Sequence, residues 1–294
     1  MYVYGCLPLG VLAAMAAKKT TPYSLQSGAP QWPILARPAW GIRGGATSRE
    51  DGYSFSLTTF SPRGSLGQIE YAMNSVLEGA LSVAVTYDTG IAMASIRKTQ
   101  SPLVRDIGTR KISRVADGVA ILYAGLAADS RVLIRTAQEC SLGYQGKFGN
   151  GAVLPVITLV SHVALLMQEY THMAGVRPFG ASLLIASVQN EETRRHNSHG
   201  HSEPVQARLY RLEPSGSYSA WKACAIGKGS AEAEAILEEE FSESMDRNRA
   251  LQLVLSVALR CSPNDGIGED DIALAFVERG AIETVEKLNP TSTL

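Results

Sequence analysis

Tyr53-Ser54-Phe55-Ser56-Leu57-Thr58-Thr59-Phe60-Ser61-Pro62-Arg63-Gly64-Ser65-Leu66-Gly67-Gln68-Ile69-Glu70-Tyr71-Ala72 is where an irregular chain turns periodic. Pro62 and Gly64 predict a turn: proline presets one backbone angle, and glycine tolerates conformations that other residues avoid. Beyond it Ile69, Met73, Val76 and Leu77 recur at helical spacing, which predicts a helix over residues 66–78. Ser65 stands where that helix needs a cap, and Gln68 three residues later completes a capping-box pattern. The turn lets Tyr53–Phe60 leave the domain in a different direction from the helix. Taken alone, these features fit an ordinary turn followed by a cap.

Upstream, residues 1–51 carry Pro22, Pro30, Pro33 and Pro38 and a glycine-rich stretch at Gly41, Gly44 and Gly45. They show neither helical nor strand period and are expected to be a disordered leader. Met1–Ala17 is apolar and rich in small residues. No Lys or Arg precedes it, while Lys18 and Lys19 follow, which is the wrong polarity for a secretory signal. No acid occurs before Glu50, so an organelle presequence and a misplaced gene start both stay open.

Downstream, short apolar runs predict strands at 82–87, 90–95, 111–115 and 119–124, with turns at Asp88-Thr89-Gly90 and Asp117-Gly118. Their apolar character on both parities predicts a sheet covered on both faces. Helices are predicted at 130–144 and 154–173, with Pro155 in the first turn of the second. Strands follow at 181–189, 207–212 and 219–225, helices at 230–241 and 247–260, and a last strand at 272–277. Helix pairs inserted between groups of strands suit an α+β fold, a four-layer α/β/β/α sandwich, and not a parallel βαβ series.

Composition agrees with a globular domain. Of 294 residues, 45% are hydrophobic and 19% charged, and the formal net charge of -1 gives no basic excess toward nucleic acid. No segment reaches the roughly 18 uninterrupted apolar residues of a membrane span. Cys6, Cys140, Cys224 and Cys261 form no CxxC pair and read as reduced, mostly buried thiols.

The stretch from Tyr53 to Ala72 closely resembles the N-terminal signature of proteasome alpha subunits: a Tyr, a Thr-x-Phe-Ser-Pro run, a Gly, a Leu, then Gln-Ile-Glu-Tyr-Ala. The form Tyr-Ser-Phe-Ser-Leu-Thr-Thr-Phe is typical of the alpha-2 type. Gly175-Val176-Arg177-Pro178-Phe179-Gly180, preceded by Gln168-Glu169-Tyr170-Thr171, resembles a later motif of the family. So do Pro214-Ser215-Gly216, Trp221-Lys222-Ala223 and Ile226-Gly227-Lys228-Gly229. The resemblance covers residues 52–277. It implies the sandwich of N-terminal-nucleophile hydrolases, with residues 52–280 as the domain and 281–294 as a C-terminal tail.

In catalytic relatives of that fold, the resemblance implies a nucleophilic Thr freed by cutting after a Gly, with its own amine as base. Here the junction is Gly79-Ala80, and the same count places Ile96 where a catalytic Asp would stand. Gly64-Ser65 and Gly108-Thr109 open no core strand, and Gly5-Cys6 lies in the leader. No catalytic residue is therefore expected, and a structural ring subunit is favoured over an active threonine-type hydrolase. The resemblance further implies a seven-membered ring with other alpha subunits, contact with beta-ring subunits, docking of regulatory particles, and a place in cytoplasm and nucleus. The helix at 66–78 would pack at the alpha–beta boundary. The gate cluster would comprise Tyr53, Ser54, Pro62 and Tyr71, with Ser54 replacing the usual acid. Lys111 would be the pocket lysine that receives a regulator's C-terminal carboxylate; Arg110 is the alternative if the register differs by one, and an exposed strand-end lysine is the plain reading. Assembled subunits are expected to lack most of residues 1–45, since such a chain would crowd the ring axis and Leu7–Ala17 is costly to expose. No cofactor, metal, nucleic acid or membrane partner is expected. His196, His199 and His201 read as a solvated loop, His162 and His172 as helix residues without a role, and the acids Glu232–Glu243 as a solvated helix face.

Overall fold

The two parities of each core strand feed two different hydrophobic interfaces, and this sets the layers. The computed structural model describes residues 60–61, 64–97, 103, 111–149, 152–173, 175–189, 206–261, 271–279 and 281–285. Among these, β1 (Ser82–Tyr87), β2 (Gly90–Ile96), β8 (Ala223–Ile226), β9 (Ile272–Glu278) and β10 (Ala281–Val285) form one antiparallel sheet in the order β10-β9-β2-β1-β8. β3 (Ile112–Ala116), β4 (Val119–Gly125), β5 (Ala181–Gln189), β6 (Gln206–Leu212) and β7 (Tyr218–Trp221) form the other, in chain order.

Val83, Val85 and Tyr87 of β1, Ala92, Ala94 and Ile96 of β2, and Leu274 and Phe276 of β9 face α4 (Ser230–Glu240) and α5 (Arg247–Arg260). Val119, Ile121 and Tyr123 of β4 and Leu183 and Ile185 of β5 face α2 (Ala127–Phe148) and α3 (Val156–His172). The opposite parity meets between the sheets: Ala84, Ile91, Met93, Leu122, Leu184 and Val277 share one buried cluster. Period-two alternation with apolar residues on both sides thus gives the predicted helix–sheet–sheet–helix sandwich.

Several sequence expectations need correction. The run 219–225 is two strands in different sheets, parted at Lys222, whose carbonyl accepts from both the N–H (2.9 Å) and the hydroxyl (2.8 Å) of Thr86. A strand, β10, occupies 281–285 and pairs with β9. Arg247 ties it down, bonding Glu278 at 3.2 Å and Glu283 at 2.5 Å. The acidic helix is only partly a solvated face: Glu234 pairs with Arg211 (2.9 Å), Glu240 with Arg260 (2.9 Å) and Glu243 with Lys222. Glu232, Glu238 and Glu239 remain exposed. α2 extends past both predicted ends, and Pro155 caps α3 from outside its first turn.

Candidate functional site

The signature turn is closed by serine, not by a helix cap. Gly64 N–H donates to the Ser61 carbonyl and Ser61 N–H to the Ser65 carbonyl, both at 2.8 Å. Ser65 N–H donates to the Ser61 hydroxyl at 3.1 Å, and the two hydroxyls lie 2.9 Å apart. Ser65 is thereby taken, and α1 (Gly67–Leu77) starts after Leu66 with no side-chain cap bond. The buried face of α1 is Ala72 and Val76; Leu77, expected inside, is exposed. Val76 enters the cluster between the sheets, so α1 seals one end of the sandwich beside β4 and β5.

At that end the chain passes from Gly79 through Ala80 into β1. A Cβ on Gly79 would lie 2.3 Å from the Gly125 nitrogen, and a Cβ on Gly125 would lie 2.3 Å from the Gly180 oxygen. Three backbones therefore touch where other residues would hold them apart. Lys228 N–H donates to the Gly79 carbonyl at 2.8 Å. Leu81 and Ile96 are buried in one apolar cluster and Ala80 packs against it, so the two positions flagged by the sequence carry neither a nucleophile nor an acid. The polar atoms nearby are inward-facing hydroxyls: Ser82 lies 2.8 Å from Ser95 and donates to the Tyr123 carbonyl at 3.1 Å. This bridges β1 and β4 across the inter-sheet core.

Arg177 of the later motif acquires a role that sequence alone did not assign. It donates two bonds to Asp129, at 2.6 and 2.9 Å, and a third to the Pro178 carbonyl at 3.0 Å. Asp129 also accepts from the buried Gly180 N–H at 2.9 Å. The Arg177 hydrogen bond, helped by Gly180, holds the Asp129 carboxyl below its ordinary range against the opposing effect of burial. This clasp joins the first turn of α2 to the start of β5.

Lys111 lies at the start of β3, mostly buried, with its ammonium 4.5 Å from the ring centroid of Tyr123. Burial pushes its pKa down. No carboxylate among the described residues bonds to it. Tyr71 is exposed on α1. Tyr53, Ser54, Pro62, Arg110, Cys6 and the three histidines of 196–201 lie outside the described residues. His172 contacts Gln168 on α3. Cys140, Cys224 and Cys261 are free thiols, the last two buried, and burial pushes Cys224 up to about 12. Among the described residues no group of His, Cys, Asp or Glu could hold a metal ion, and no helix is long and apolar enough to cross a membrane.

Two family models match this chain: that of the proteasome subunit over residues 76–277, and that of the N-terminal signature of A-type proteasome subunits over residues 53–74. The chain belongs to the proteasome subunit family. The signature makes it an alpha-type member, and similar curated proteins agree. The alpha type-2 proteasome subunit of Saccharomyces cerevisiae is 39% identical over 228 residues, 77% of this chain and 85% of the yeast protein. The alpha type-2 subunit of Caenorhabditis elegans is 37% identical, over 76% of this chain and 90% of its own length. That of Drosophila melanogaster is 34% identical, over 82% and 94%. The family's fold accounts for the sandwich.

Proposed function

We propose that this chain is a non-catalytic subunit of the proteasome core particle. It holds one place in the outer seven-membered ring, contacts neighbouring alpha subunits and the beta ring, contributes to the gate for substrate entry, and docks regulatory particles in ubiquitin-dependent protein degradation. The observation that carries the non-catalytic reading is that Ala80, just before β1, and Ile96, at the end of β2, both belong to one apolar cluster. Nucleophilic catalysis needs an activated hydroxyl, thiol or amine within hydrogen-bond reach of a base. An alanine and an isoleucine offer neither. Exposed Phe60, Tyr71 and Leu77 near α1 support a face that other subunits cover. The gate role is assigned to Tyr53, Ser54, Pro62 and Tyr71, and cytoplasm and nucleus are the expected compartments.

A threonine-directed covalent inhibitor added to purified particles is expected to leave this chain unlabelled while beta subunits react. Labelling of this chain, read by intact mass, would return the threonine-type hydrolase reading.

Docking is assigned to Lys111. Removing a charged hydrogen-bond donor costs about 1.5–3 kcal/mol, so Lys111→Ala is expected to weaken capture of a regulator's tail at this subunit by tenfold or more. Ring assembly should be unchanged. Arg110→Ala serves as the register control. A loss in Arg110→Ala with none in Lys111→Ala would move the site by one residue.

A further inference from the structure

We propose that Tyr123 is a positioning residue of the docking site: its ring holds the Lys111 ammonium in place for the terminal carboxylate of an incoming peptide. This rests on the Lys111 reading above and adds a second residue to it. One cation faces the ring, and a second acts on it electrostatically. The Lys111 ammonium stands 4.5 Å from the Tyr123 centroid, within cation–π range. The Arg131 guanidinium, on α2, acts on the same phenol, favouring its ionised form against burial.

The ring is fixed where the lysine is not. Tyr123 is 5% exposed and packed into the core between the sheet and α2–α3. Lysine carries its charge on a flexible four-carbon stem and loses rotamer freedom when held. An aromatic face fixed by packing limits that freedom before any ligand arrives, which is how preorganisation raises affinity. It also offsets part of the burial that disfavours the charged ammonium.

The described charges around the site are paired elsewhere or cationic. Among the described residues, Arg114 engages Asp117 and Arg177 engages Asp129, while no carboxylate bonds Lys111 or Arg131. β3 brings Lys111, β4 brings Tyr123 and α2 brings Arg131. One carboxylate, fitting a chain terminus, completes the set.

The test uses assembled particles carrying variants of this chain. The probe is a short peptide with a free C-terminal carboxylate and a photo-crosslinker, and its C-terminal amide is the control. Crosslinking to this chain is followed against peptide concentration and pH. Tyr123→Phe, which keeps the ring, is expected to bind within about twofold of the parent. Tyr123→Leu is expected to bind about three- to tenfold more weakly. Its alkaline loss of binding should also move to lower pH, because the face that favoured the ammonium is gone. A merely structural role would lower stability without moving that midpoint. Since Tyr123→Leu also disturbs packing, fluorinated phenylalanines at position 123 give the same test with the shape kept; affinity should fall with each added fluorine. Affinity and midpoint that ignore both the ring and its fluorination, while Lys111→Ala still loses binding, would overturn the role of Tyr123. A Lys111→Ala particle that captures the peptide normally would instead remove the docking reading beneath it.

Discussion

Gly125→Ala is expected to cost more than about 4 kcal/mol and to leave the chain largely insoluble. Two independent effects combine at this residue. Its φ is +103°, a conformation that an L side chain adopts only under strain. The added Cβ would also lie 2.3 Å from the Gly180 oxygen and 3.1 Å from the Ala181 Cα. Those atoms are backbone and cannot swing away. Gly180 is held on both sides, its carbonyl by Leu126 N–H at 2.9 Å and its N–H by Asp129. Relief would require β4 and β5 to part at the end that α1 seals. Gly143→Ala is the matched control. Gly143 is an exposed mid-helix glycine of α2 with nothing within 4 Å of a new Cβ, so the change should stabilise by about 0.5–1 kcal/mol. Urea midpoints of the purified full chain and its soluble yield report both. A Gly125→Ala chain that unfolds cooperatively near the parent's midpoint would show that the glycine contact is not a constraint.

Strands were the most legible part of the fold. β1 and β5 begin and end where apolar alternation and turn residues mark them, because a strand sandwiched between two cores must be apolar on both parities. The switch from β7 to β8 carried no such mark. No Gly or Pro stands between Tyr218 and Ile226; the break is made by tertiary bonds from Thr86, more than a hundred residues away in the chain. The Ser65 cap failed for a local reason: Ser61 competes for the same hydroxyl and wins it.

The proposed docking site was half legible. The resemblance to alpha subunits singled out Lys111, but nothing in the sequence marked the residue beside it. Counting back from the Asp117-Gly118 turn without interruption sets Lys111 opposite Ala124. A bulge between Arg114 and Ala116 shifts the register, so that Ile112 pairs with Leu122 and Lys111 comes to Tyr123. A one-residue bulge has no composition of its own here, and it decides which side chain meets the ammonium. The acid partnered by Arg177 was equally hidden, since 48 residues separate them.

Asp129→Ala is expected to cost about 3 kcal/mol, because it removes two charge-assisted bonds and leaves the buried Gly180 N–H without its acceptor. Arg177→Ala should cost less, about 1 kcal/mol. The arginine side chain is 60% exposed against 11% for Asp129, so water replaces much of what it gave. This asymmetry separates a buried acceptor from a surface ion pair. The pH dependence follows from the direction of the shift. Asp129 titrates lower in the folded chain than in the unfolded one. Its contribution is therefore fully present above the ordinary carboxyl value of about 3.9 and is lost as pH falls through the depressed folded value. Asp129→Asn keeps an acceptor for Gly180 but carries no charge. The stability gap between it and the parent should be constant from neutral pH to about 4 and should close below that. Urea midpoints of the two chains between neutral pH and acid measure the gap directly. A gap that stays constant into the acid range would mean that the carboxylate's charge contributes nothing, and that Asp129 serves only as a hydrogen-bond acceptor for β5.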